Sequence, residues 1–330
     1  MAVTIRDVAS EANVSATTVS RVFNHTDLVR PETVERVRRI ADEMGYQPNA
    51  TAKSLSHGRT DAIGVVLPAP HGEFFSEVMR GIDEVAQSSH YHLLISSSHY
   101  NRDEAEAAMR ALSGRVDGLL VMTTHVEADD ILQTPRPDVP VVFMNSSNVG
   151  PDHDAYDIEN REGAYKATKH LIERGYRNIG VITGPRNSLD VQERLSGFRD
   201  ALSDSGRNPS EAPVIDGDFT RASGYEAGKQ ILELDPRPDA FFSCNDYMAI
   251  GAISAFQEAG ITTPGDIAIA GFDDIPSARY ASPPLTTVRV PVFDLGRRAA
   301  QRLLDRMAGH SEMPIEEATL GSELVIRSST

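Results

Sequence analysis

The chain has 330 residues, 40% hydrophobic and 24% charged, with 32 Lys and Arg against 48 Asp and Glu and a formal net charge of -16. That length suits two or three domains with a full core; with Cys244 standing alone, a disulfide scaffold and a Cys-rich metal site are excluded. No apolar run is long enough to span a bilayer, and the opening MAVTIRDVAS lacks the basic and apolar regions of a secretion signal, so the protein is expected in the cytoplasm.

The first 60 residues carry eight basic and seven acidic side chains, which is +1, so the other 270 hold -17. The long acidic part repels a phosphate backbone, which confines any nucleic-acid contact to the start of the chain. There Thr4 is placed to cap a helix with the apolar face Ile5, Val8, Ala9 and Ala12, a pattern that breaks at Asn13. Ser15 caps a second helix, in which Val19, Val22 and Phe23 share one face and Ala16, Thr17, Ser20 and Arg21 the other. Two short helices so closely joined fit a helix-turn-helix, whose second helix offers its N-terminal side chains to the major groove. A third helix opens at Pro31, repeats Val34, Val37, Ile40, Ala41 and Met44 at helical spacing, and stops at Gly45. Such a trio can also be a plain bundle. Its small outward face favours DNA, with Arg21 able to donate to guanine and Thr17 to meet a thymine methyl. Beyond it, Asn49 can cap a helix ending before Gly58, too short to stand alone in water. That segment reads as an interdomain linker or, through the isolated apolar Leu55, as a minor-groove wedge.

From residue 61 the pattern changes. Strands are predicted at 63–67, 92–96, 118–122, 139–144, 179–182, 240–243 and 267–271, with a further strand-like segment at 285–290. Helices are predicted near 76–89, 103–113, 160–174, 190–205, 221–234, 247–259 and 293–308. Unbroken apolar strands between amphipathic helices imply doubly wound α/β architecture. A Pro-rich stretch at 134–140 and a polar one at 145–157 fall midway, so two lobes are expected, with ligand at the carboxyl ends of the strands. Phe74 and Phe75 follow the first strand, Asn145 and Ser146 the fourth, Asp190 and Arg194 open the helix after Gly184, and Phe219, Asn245 and Asp273 follow later strands. Taken singly these are core aromatics and turn caps. Gathered at strand ends, they supply what a polyol pocket needs: aromatic faces for a ring, and planar donors and carboxylates for its hydroxyls.

No Gly-x-Gly-x-x-Gly follows the first strand and there is no P-loop; the Asp273-Asp274 pair has no His cluster beside it. No catalytic residue, cofactor or metal is expected. The body alone would also suit a solute-binding protein of a sugar transport system, an alternative opposed by the missing signal and the N-terminal helices.

Thr4-Ile5-Arg6-Asp7-Val8-Ala9, Val14-Ser15, Thr18-Val19-Ser20-Arg21-Val22-Phe23-Asn24, Gly45-Tyr46-Gln47-Pro48-Asn49 and Ala52-Lys53-Ser54-Leu55 closely resemble the LacI/GalR family of bacterial transcription regulators. The resemblance spans the chain, through Gly184-Pro185, Arg194-Leu195-Ser196-Gly197-Phe198, Asn245-Asp246, Gly271-Phe272-Asp273-Asp274 and Pro284-Leu285-Thr286-Thr287-Val288. It implies a helix-turn-helix head at 1–48, a hinge helix and linker at 49–60, and a periplasmic-binding-protein-like body of two parallel-sheet lobes, 61–160 with about 291–320 and 161–290 with about 321–330. It further implies a repressor that binds double-stranded operator DNA in the nucleoid, without a membrane partner, under allosteric control by a small molecule, here expected to be a sugar. By the same resemblance Ala16, Thr17 and Arg21 read bases, and Thr4, Asn24 and Asn49 hold the DNA backbone. Ala52, Lys53 and Leu55 form the minor-groove hinge. Phe74, Phe75, Arg194, Phe219, Asn245 and Asp273 match positions of the effector site, which looks most like a pentose-type pocket. Asn145-Ser146 departs from the Asp-Arg pair expected for ribose and speaks against ribose itself. Two further departures are Asn13 where Gly is usual and Arg30 in place of a small cap. A homodimer is expected, since no leucine-heptad tail follows Thr330.

Overall fold

The computed structural model describes residues 3–24, 26–46, 59–69, 72–123, 139–146, 149, 152–309 and 313–330. The chain divides into two units, Met1–Asp61 and Ala62–Thr330. In the first, α1 (Ile5–Glu11), α2 (Ala16–Asn24) and α3 (Pro31–Met44) follow the apolar periodicity of the sequence. Thr4 opens α1 by donating its N–H and hydroxyl to the Asp7 carboxylate, at 2.8 and 2.7 Å. Asn13 supplies the turn at φ +50°, Ser15 Oγ accepts the Thr18 N–H at 3.0 Å to start α2, and Gly45 ends α3 at φ +66°. Arg30 gives α3 no side-chain cap. Val8, Ala12, Val19, Val22, Val37 and Ile40 meet in one buried core, with Phe23 packed beside Tyr46 at its margin.

The second unit contains two six-stranded sheets. One joins β1 (Ala62–Leu67), β2 (His92–Ser97), β3 (Gly118–Val121), β4 (Val141–Met144), β5 (Asp154–Ile158) and β11 (Glu317–Leu320), all parallel, in the order β11-β5-β4-β3-β1-β2. The other joins β6 (Ile179–Thr183), β7 (Val214–Asp216), β8 (Ala240–Ser243), β9 (Ala268–Asp273), β10 (Thr286–Arg289) and β12 (Glu323–Val325), in the order β12-β10-β9-β8-β6-β7, with only β12 antiparallel. Among the described residues the α-helices of this unit are α4 (Glu73–Ser88), α5 (Arg102–Ser113), α6 (Asn160–Glu173), α7 (Leu189–Asp204), α8 (Arg221–Leu232), α9 (Asp246–Glu258), α10 (Pro276–Tyr280) and α11 (Val292–Met307). The chain crosses between lobes after β5, before α11 and after β11, and α11 returns to the first lobe beside α4, where Arg80 lies over the Phe293 ring.

β5 begins within the polar stretch at 145–157 that the sequence presents as a connection and runs one residue past it. Its Asp154 is buried and takes up two guanidiniums of α11, Arg302 at 2.8 Å and Arg306 at 2.7 Å, so a charged residue stands where alternation calls for an apolar one. β7 and β12, at three residues each, are too short to carry a period of two.

Candidate functional site

Between the lobes lies a cavity of about 480 Å³ at the carboxyl ends of the strands. Phe74 and Phe75, in the first turn of α4, meet edge to face at 5.2 Å between ring centres and form one wall. Phe219 forms another, with its ring centre 6.4 Å from that of Tyr100. A Cβ on Gly184 would stand 2.5 Å from the Phe219 ring, so only glycine after β6 leaves the ring its place. Asn245 caps α9 by accepting the Met248 N–H, and its amide donates to the Phe219 carbonyl at 2.9 Å, which anchors that loop. His99, Tyr100, Asn145, Phe219 and Asp273 on this wall all have positive φ, a conformation that costs non-glycine residues energy and is held by the surrounding packing.

The polar end is built around Arg194. Its Nε donates to Asn160 Oδ1 at 2.8 Å, one terminal nitrogen donates to the Cys244 carbonyl and lies 3.4 Å from Asp273 Oδ1, and its plane covers the Phe272 ring at 3.8 Å. Asn145, from the first lobe, donates to Asp190 Oδ2 at 2.9 Å, and Asn160 donates to Asp190 Oδ1 at 3.2 Å. Burial pushes the Asp273 carboxyl up to about 7, against the pull of Arg194 and with help from Asp190. Asp190 is raised by the same cause, and Tyr100 is pushed up to about 12 by burial and then by Asp190 and Asp273. Among the described residues, Asp273 Oδ1 is a buried acceptor without an aligned hydrogen bond.

Of the nine residues singled out at the strand ends, eight line this cavity: Phe74, Phe75, Asn145, Asp190, Arg194, Phe219, Asn245 and Asp273. Ser146 does not. Its hydroxyl donates to the Met144 carbonyl and accepts the Thr123 N–H, and its own N–H goes to Asp157, so the side chain turns into the first lobe. The sequence reading missed His99, Tyr100, Asp218, Arg221 and Tyr247 on the wall, and Asn160 behind it. Tyr247 had a signal in its position directly after Asn245-Asp246; Tyr100 lies in a loop with no periodic pattern.

In the first unit, Thr17 and Arg21 are exposed on α2 and Ala16 is half-buried at its start. Asn24 donates to Ser20 Oγ at 3.3 Å, and Thr4 stands exposed with both donors on Asp7. Asn49, Ala52, Lys53 and Leu55 lie outside the described residues. No helix among the described residues is long and apolar enough to cross a membrane, and no group of three potential metal ligands occurs among them.

Residues 4–49 match the family described as bacterial regulatory proteins, lacI family, and residues 168–330 match a periplasmic binding protein-like domain. The HTH-type transcriptional repressor PurR of Photobacterium profundum is 38% identical over 99% of this chain and 98% of its own. Among solved structures, the Lac repressor dimer bound to operator and the anti-inducer ONPF matches with a TM-score of 0.85 at 28% identity, over 100% of this chain and 99% of that one. The transcriptional regulator CelR in complex with cellobiose matches with a TM-score of 0.73 at 33% identity, over 99% and 100%.

Proposed function

The chain belongs to the lacI family of bacterial regulatory proteins, and from that premise we propose a cytoplasmic repressor whose grip on its operator is set by a neutral, hydroxyl-rich effector, a sugar, in the cavity of the body. It is a DNA-binding transcriptional regulator under small-molecule control, and its relatives are repressors rather than enzymes. The effector class rests on the state of Arg194. That guanidinium is already engaged by Asn160, the Cys244 carbonyl, the Phe272 ring and a 3.4 Å ion pair with Asp273 Oδ1, an oxygen that has no aligned hydrogen bond. A buried acceptor without an aligned hydrogen bond is costly, and a sugar hydroxyl supplies the donor that a phosphate or carboxylate oxygen does not. The aromatic walls suit a pyranose or furanose face, and a similar regulator holds cellobiose. Phe74, Phe75, Asn145, Asp190, Arg194, Phe219, Asn245 and Asp273 are the contact residues in this reading.

In the head, Ala16, Thr17 and Arg21 read bases, Thr4, Asn24 and Asn49 hold phosphates, and Ala52, Lys53 and Leu55 enter the minor groove at the operator centre. Two heads require two chains. The edge strand β2 exposes Leu94 and Ile95, and α10 exposes Tyr280, apolar side chains that a second copy of the chain would cover in this reading.

The test is a melting-temperature screen of the whole protein against pentoses, hexoses, disaccharides, nucleosides and sugar phosphates, followed by operator binding with each hit. Stabilisation by a free sugar that also changes operator affinity is expected. Stabilisation by sugar phosphates alone would overturn the effector class.

A further inference from the structure

Two helices that face each other across the cleft begin without a cap of their own. Gly72, before α4, has no side chain to offer, and α10 opens with Pro276 behind Ile275, which makes no cap either. The first N–H groups of a helix have no partner within it and must find one elsewhere. Here each helix finds it on the opposite lobe. The Glu73 N–H donates to the Tyr247 hydroxyl oxygen at 2.8 Å, and the Glu73 carboxylate accepts the Ser277 N–H at 2.7 Å together with the Ser277 hydroxyl. Glu73 belongs to the first lobe, through α4; Tyr247 and Ser277 belong to the second, through α9 and α10. The residues after Glu73 are Phe74 and Phe75 of the cavity wall, and Tyr247 is on the wall as well.

We propose that this reciprocal capping of α4 and α10 is the contact through which occupancy of the cavity sets the angle between the lobes, with Glu73 and Tyr247 as its positioning residues. The inference rests on the cavity being the effector site. Separating the lobes removes the partner of the Glu73 N–H and both donors of its carboxylate, so the first turn of α4 loosens and Phe74 and Phe75 lose their placement. A ligand stacked on those rings and against Tyr247 orders the same turn. Ligand and clasp therefore stabilise one another, which is the differential contact a two-state lobe movement requires.

Hydrogen exchange on the full-length protein, resolved over 73–77 and 277–280, tests it with and without the neutral sugar that raises the melting temperature most. Without ligand, Tyr247→Phe in the second lobe should speed exchange at 73–77 in the first, and Glu73→Ala in the first should speed it at 277–280 in the second, each roughly tenfold, with β1 and β9 unchanged. Glu73→Gln, which keeps one accepting oxygen, should recover part of the protection. The sugar should slow both segments together in the wild type, and its affinity should fall roughly tenfold in Glu73→Ala. Loosening confined to the substituted lobe would overturn the clasp and leave the effector site standing. A sugar that raises the melting temperature but leaves exchange at 73–77 and 277–280 unchanged would overturn the link between clasp and occupancy and leave the effector site standing.

Discussion

The head exposes Arg21 and Thr17 on α2 above a core of nine buried residues, whereas the body buries Arg194 and Asp190, and half-buries Asp273, among the side chains that hold its lobes together. The head's caps join residues no more than three apart in sequence, Thr4 to Asp7 and Ser15 to Thr18; the body's site joins Asn145 to Asp190 and Arg194 to the Cys244 carbonyl. A site on the surface can change without disturbing the fold beneath it. A site inside cannot, because its residues serve binding and stability at once.

Arg194→Ala is the strongest way to break that contrast. It leaves Asn160 Oδ1 and the Cys244 carbonyl without their donor and Asp273 without its ion pair, and the body should lose about 3–5 kcal/mol in urea unfolding. A loss below about 1 kcal/mol would mean that the buried site is as separable as the exposed one. In the head, Val22→Ala removes two methyls from a small core and should cost about 2 kcal/mol, seen as lost operator binding with the body's ligand-induced melting shift retained. Arg21→Ala should leave the head's melting unchanged and take about 1–3 kcal/mol from operator discrimination in competition binding. Equal losses on operator and random duplex would contradict base reading.

The two regions respond to pH with opposite sign. Asp273, lifted by burial from 3.8 to about 7, keeps its proton in the folded body where the unfolded chain has lost it. Its contribution is therefore full below its unfolded value and fades as the pH rises through that window, and Asp190 acts in the same direction. In the head, the Thr4 hydroxyl and N–H hold the Asp7 carboxyl below its ordinary value, so its contribution is present above that value and is lost as the pH falls. Unfolding curves at pH 5 and 8 should show Asp273→Asn flattening the body's slope and leaving the head's unchanged. The smallest effect is expected at Arg30→Ser, which supplies the cap that α3 lacks and should stabilise the head by about 1 kcal/mol or less in thermal unfolding.

The same difference governs what could be read from the sequence. The head was legible almost to the residue, since Thr4, Ser15, Pro31 and Gly45 mark their helix ends by local chemistry. In the body, strands such as β1 and β8 announced themselves by unbroken apolar runs, and eight of the nine residues at the strand ends reached the cavity. Ser146 failed because adjacent residues at a strand end point to different sides, and only its bonds to Met144, Thr123 and Asp157 decide which. β5 stayed hidden because Asp154 is explained by arginines about 150 positions away in the sequence, and Asn160, taken as a mere helix start, becomes a ligand of Arg194 only once α6 and α7 are packed. Local rules carry the first unit; distant pairings build the second.

The five left-handed residues around the cavity have one further consequence. The outline of the chamber is drawn by main-chain turns anchored in the sheets and helices, while its chemistry is carried by the tips of a few side chains. Exchanging one such tip leaves the outline in place but takes a partner from the buried network, so a change of ligand calls for several matched exchanges rather than one.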